Sequence, residues 1–180
     1  MARISLPAPN ELTDDQQEQF RRFPANLTLA LLRAGGSAEA YLSLGASFAK
    51  GKLSAKDREV VILRVATLSG SSYERMQHLP IARRAGLSDE QISAVEAGDH
   101  ITLGEHASAI LRFVDECVYR VRVSDPVFEA VKRFVKEEEI AEISLLVGHY
   151  MMTARFLETL GVELDDAPTD WGNLLTIVPE

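Results

Sequence analysis

Repeatedly along this 180-residue chain, a serine or threonine is followed three residues later by glutamine or glutamate at the head of an apolar-periodic run: Thr13 with Gln16, Ser71 with Glu74, Ser88 with Gln91 and Thr102 with Glu105. Each pair has the spacing of a capping box, in which the hydroxyl accepts from the backbone three residues on and the longer side chain returns to the first amide. Between these starts lie helix-ending glycines and prolines such as Pro24, Gly35, Gly36, Gly86 and Gly161. No segment sustains a period of two with β-branched enrichment. The pattern predicts an all-α fold.

The helices follow from these stops and starts. The first runs from Thr13 to Pro24, Asn26 caps a short one over Leu27 to Arg33, and Ser37 opens another to about Lys50. Ser54 opens the helix of Arg58, Glu59 and Arg64, and the break Ser69-Gly70 leads to a helix from about Ser71 to Ala85. After the helices capped by Ser88 and Thr102, Asp125-Pro126 places proline in a favoured first turn. The last helix, roughly Glu138 to Leu160, is the most apolar and ends at Gly161. Residues 1 to 12 form an N-terminal extension. The tail, Ala167 to Glu180, carries Trp171, Leu174, Leu175, Ile177 and Val178 and should dock on its own core or on a neighbouring subunit.

With 46% hydrophobic residues and no shift in composition, the whole chain, 1–180, reads as one domain with one core. The net charge of −8 opposes binding to nucleic acid or anionic membrane. No apolar run reaches the roughly 18 to 20 residues that span a bilayer. The opening MARISLPAP lacks the apolar core of a signal peptide, and the lone Cys117 can form no intrachain disulfide. A protein of a reducing cytoplasm is the expectation.

Chemistry concentrates between Arg58 and His78. Glu59 is followed by Ile62, Leu63 and Ala66 at spacings of three, four and seven, so on a helix it shares a face with apolar residues. Burial should raise the pKa of such a carboxylate unless a cation or donor compensates, which makes it a candidate acid or base; a structural ion pair with Arg58 or Arg64 is the plainer alternative. Glu74 and His78, four apart, are neighbours on one helix face and can form a proton relay. Against this, the Ser71 capping box also claims Glu74. Pro80 removes the hydrogen bond to the Met76 carbonyl within the same helix.

His149, in the apolar run LLVGHYMM, is polar in an expensive place, and Tyr150 and Tyr73 are similar lining candidates. Cys117 on its apolar helix reads as packing. The four histidines lack a close metal-ligand spacing, and phosphate loops and G-x-S-x-G elbows are absent, so no metal and no cofactor is expected.

The stretch REVVILRVATLSGSSYERMQHLPIARRAGLSDEQI resembles the carboxymuconolactone decarboxylase family, which includes the AhpD alkylhydroperoxidases. The likeness is strongest from Leu53 to Ala97 and extends more loosely, through LRFVDE, RVSD and LLVGHYMMTARFLETLGVEL, to Leu164. It implies an AhpD-like all-α fold and assembly of subunits into homotrimers or homohexamers. The peroxidase branch carries a glutamate, eleven residues, a C-x-x-C pair and, after three further residues, a histidine. Here Glu59 and His78 match the glutamate and the histidine, Ser71 and Glu74 stand at the cysteine positions, and Tyr73 stands where that branch has a further relay histidine.

Neither serine nor glutamate can reduce a peroxide through a thiolate and a disulfide. The Y-E-x-x-x-H form resembles instead the branch without the cysteine pair, which includes decarboxylases of aromatic catabolism. The resemblance implies a cofactor-free lyase or isomerase acting on a small carboxylate or lactone, with His78 as acid or base, Glu59 or Glu74 orienting it, and Arg64 holding a substrate carboxylate. Ser71, Tyr73 and His149 complete the expected binding site. The alternatives are a noncatalytic ligand-binding or assembly protein of the same fold, and a peroxidase-type activity resting on Cys117 alone.

Overall fold

The computed structural model describes residues 2–169, and every regular element among them is helical. The apolar tail residues Trp171 to Val178, expected to dock, lie outside the described residues. Contacts gather into two compact units, one formed by Met1–Lys50 with Phe156–Glu180, the other by Gly51–Arg155.

In the first unit, a 3-10 turn at Pro9–Glu11 precedes α1 (Asp14–Arg22), α2 (Asn26–Leu31) and α3 (Ser37–Ser47). Thr13 caps α1 with both halves of its box made. Asn26 does not cap α2 as expected but is its first residue. The cap position falls on Ala25, which has no acceptor, and Asp165 supplies one instead, its Oδ1 accepting from the Asn26 amide at 2.7 Å. A cap borrowed from 139 residues away leaves no local signal. Leu12, Phe23, Leu29, Leu31, Leu32, Ala38 and Leu42 form this unit's core, with Phe156 packed against it.

The second unit is built around α4 (Ala55–Leu68), which is buried on every side from Glu59 to Ala66. A helix with no polar face is a core helix rather than a surface one. α5 (Ser72–Arg84), α6 (Asp89–Ala97) and α7 (Gly104–Arg120) pack against it. α8 (Asp125–Val131) follows, and then α9 (Glu137–Leu160), whose residues to Arg155 belong here. Ile62, Leu63, Ile110, Leu111, Ile143 and Leu146 are almost wholly enclosed. Burying side chains of this size contributes roughly 1.5–3 kcal/mol each.

The caps of Ser54 and Ser88 form as expected, and Gly98 ends α6 in the left-handed region at φ 72°. The cap predicted at Thr102 does not form. Its amide and hydroxyl both donate to Asp99, the hydroxyl at 2.6 Å to Oδ2, and α7 starts only at Gly104. Asp99 outcompetes the helix for that threonine, as short carboxylates in turns do. Pro80 lies inside α5 without ending it.

At the other end of the unit, Glu142 of α9 accepts from the amides of Lys52 and Leu53, fixing the entry to α4.

Candidate functional site

A glutamate survives in the middle of a core helix only if its charge is answered. Glu59 is 1% exposed, and two groups answer it. Its Oε2 lies 2.8 Å from Nδ1 of His78 on α5, and its Oε1 lies 3.7 Å from Nε of Arg58, the preceding residue. The sequence left acid–base role and ion pair as alternatives for Glu59. The geometry gives it the ion pair with Arg58 together with a hydrogen bond to His78.

His78 is gripped from its other side as well. Its Nε2 is 2.9 Å from the hydroxyl of Tyr150 on α9, and the two rings meet edge to face at 5.1 Å. With Nδ1–H donating to the carboxylate, the neutral ring accepts the Tyr150 proton at Nε2. With the ring protonated, Nε2–H donates to the phenol oxygen. The result is a continuous line from a buried carboxylate, through an imidazole, to a phenol, each member carried by a different helix.

His149 stands beside this line. It is 6% exposed and its ring packs edge-on against that of Tyr150 at 5.4 Å. Burial first, and the nearby His78 second, lower its pKa to about 4, so it is a neutral imidazole at pH 7. Its neighbour Tyr150 touches His78 directly, and the sequence signalled that contact only as a polar residue in an apolar run.

The first turn of α5 decides the Glu74 question. Ser71 is the cap and accepts from the Glu74 amide at 3.4 Å. The return half of the box is not made, because the Ser71 amide donates to the Ala66 carbonyl at 2.9 Å. The Glu74 carboxylate is therefore not spent on the cap, and it is buried with 2% exposure, with Ser71 and Tyr73 also buried beside it. A shallow cleft beyond this turn is lined by Ala66, Thr67, Gly70, Ser71, Ser72, Arg75 and Glu96. Arg75 and Glu96 pair across it at 2.6 Å.

Arg64, expected to hold a substrate carboxylate, is engaged by partners within the protein. Its Nε and Nη2 grip Asp115 of α7 at 2.6 and 3.1 Å, and Nη1 donates to the Val95 and Glu96 carbonyls at 3.2 and 2.9 Å. This bidentate pair also places a cation against the C-terminal carbonyls of α6, where the helix dipole favours one. A Cβ added at Gly98 would stand 2.8 Å from Nη2. The guanidinium fork ties α4, α6 and α7 together.

Cys117 lies on α7, half-buried, and burial pushes its thiol pKa up, the reverse of what a reactive thiolate needs. Among the described residues, no group of three or more His, Cys, Asp or Glu side chains can hold a metal ion. No described helix is long and apolar enough to cross a membrane.

Comparison with known proteins bears on the fold. Residues 30–116 match the carboxymuconolactone decarboxylase family. No curated protein matches the chain. A solved structure from Ralstonia eutropha, an uncharacterized peroxidase-related protein with an alkylhydroperoxidase AhpD core, superposes with a TM-score of 0.78 at 18% identity, covering 99% of this chain and 98% of that one. A protein of unknown function from Agrobacterium tumefaciens gives 0.68 at 20% identity over 72% and 91%. The debrominase Bmp8, as a cysteine-to-alanine variant in complex with 2,3,4-tribromopyrrole, gives 0.77 at 14% identity over 97% and 100%. Identities this low carry the fold alone. The chain thus has the AhpD-like all-α fold and resembles the carboxymuconolactone decarboxylase family over residues 30–116, and its one cysteine leaves it without the C-x-x-C pair.

Proposed function

We propose that the protein is a cofactor-free acid–base lyase or isomerase acting on a small carboxylate or lactone. The observation that carries this reading is the buried Glu59 carboxylate 2.8 Å from Nδ1 of His78. A carboxylate so placed fixes the imidazole tautomer and stabilises the imidazolium formed when the ring takes a proton, as in other carboxylate–histidine pairs. Glu59 orients and His78 moves the proton. Glu74 is the third acid–base group, on the turn before His78.

For a decarboxylation, the bond from carbon to the carboxylate breaks, its electron pair stays on the substrate as a dienolate, and carbon dioxide leaves. A proton from the relay then reaches carbon, and the relay recovers it from water. Donors around the dienolate oxygen lower the barrier as its charge grows. Ser71, Tyr73 and His149 are the proposed binding residues. With Arg64 engaged by Asp115, Arg58 puts a cation beside the acid–base pair, where a substrate carboxylate is drawn. The debrominase of this fold holds a small flat ring, which supports a planar substrate here. Assembly into a homotrimer or homohexamer in a reducing cytoplasm completes the proposal.

The test is turnover of carboxylated butenolide lactones by the purified chain. Carbon dioxide release that falls at least a hundredfold in His78→Ala, with the circular dichroism of the native protein kept, supports the reading. Equal turnover in the variant removes His78 from the mechanism. A lactone that raises the melting temperature and is not consumed points to a binding protein instead.

A further inference from the structure

We propose that Tyr150 is the catalytic residue that meets the substrate, with His78 acting behind it; this rests on the acid–base reading above. An imidazole has two nitrogens, and in His78 both are engaged: Nδ1 by Glu59 at 2.8 Å and Nε2 by the Tyr150 hydroxyl at 2.9 Å. In this arrangement a proton passes between His78 and a substrate only through the phenol. The Glu59 side chain is 2% exposed and that of His78 13%, and His78 and Tyr150 are both half-buried.

A phenol can donate and accept at once, so it can relay a proton without holding a charge for long. When His78 is an imidazolium paired with Glu59, Nε2–H donates to the Tyr150 oxygen, and the phenol in turn passes its own proton to the substrate. Once the carbon–carboxylate bond has broken and carbon dioxide has left, the dienolate carbon takes the Tyr150 proton and Tyr150 takes the Nε2 proton. His78 is left neutral and regains its proton from water. Run in reverse, the same line accepts a proton from a substrate carbon, which is the isomerase direction.

The phenol is held in place for this. The His149 ring meets the Tyr150 ring at 5.4 Å and 78°, while the His78 ring meets it at 5.1 Å and 82°. His149 is buried and neutral, so it adds an aromatic edge and no competing cation. Glu59 and Arg58 are the charged groups behind His78.

Tyr150→Phe keeps the ring contacts and deletes only the hydroxyl. With a carboxylated butenolide lactone as probe, kcat is expected to fall about a hundredfold while KM stays within about threefold, since the lost interaction belongs to the proton-transfer step. A kcat within threefold of the parent overturns the role of Tyr150 and leaves His78 as the acid. If the parent turns over no carboxylated lactone, the lyase reading falls and the role of Tyr150 falls with it.

A readout independent of substrate is the ¹⁵N resonance of His78 Nε2 in the folded protein. It should move in Tyr150→Phe with the Nδ1 resonance nearly fixed. An unmoved Nε2 resonance shows that the hydrogen bond does not form in solution and overturns the proposal.

Discussion

His149 makes the native state sensitive to acid. Its pKa is about 4 in the folded protein against about 6.5 in an unfolded chain, so between these values the unfolded state binds more protons. Stability is therefore full above about pH 6.5 and falls as pH drops toward 4. The upper bound on this single contribution is about 3 kcal/mol. Urea unfolding at pH 7 and pH 4.5 should show the loss, and His149→Gln should reduce the difference between the two. A difference that the variant leaves untouched would assign the acid sensitivity to other groups. At the same scale Glu59 explains why α4 can carry a carboxylate through its apolar centre, since His78 and Arg58 replace the water it gives up.

Among the elements, α4 works as a beam and Arg64 as its fastening. Replacing Arg64 by methionine keeps the stem and removes the fork, leaving Asp115 and the Val95 and Glu96 carbonyls without it. The expected cost is roughly 2–4 kcal/mol in urea unfolding, with a smaller effect on turnover than on stability. A variant that keeps its stability and loses substrate affinity would instead return Arg64 to the binding site.

What the sequence revealed at this scale divides by distance. Caps at Thr13, Ser54 and Ser88 were legible because donor and acceptor lie three residues apart. Thr102 misled because Asp99 competes for the same hydroxyl, and the cap of α2 was hidden because its acceptor is Asp165. Glu59 and His78 were legible through their spacing and family resemblance. That Tyr150 would bond His78, and that Asp115 would claim Arg64, depended on separations of 72 and 51 residues that only the packing of helices closes.

For the molecule as a whole, the resemblance implies assembly, and the solvent side of α9 suits it. Leu145 and Met152 are 54% and 47% exposed, with Gly148 between them on the same side. Light scattering at micromolar concentration should give a trimer or hexamer. A 20 kDa species would defeat that expectation. Leu145→Glu should shift the particle toward monomer if this side carries the contact.

The line from Glu59 through His78 to Tyr150 stands on α4, α5 and α9, and none of its three side chains comes from a loop. The amides of Glu59, His78 and Tyr150 sit within helical ladders, so their protection against hydrogen exchange belongs with the slowest part of the protein rather than with its fraying ends. Such a site gains precision and gives up an easy opening. On the proposed function, substrates are accordingly expected to enter by side-chain rotation, and inactivation in denaturant should coincide with the loss of helix rather than precede it.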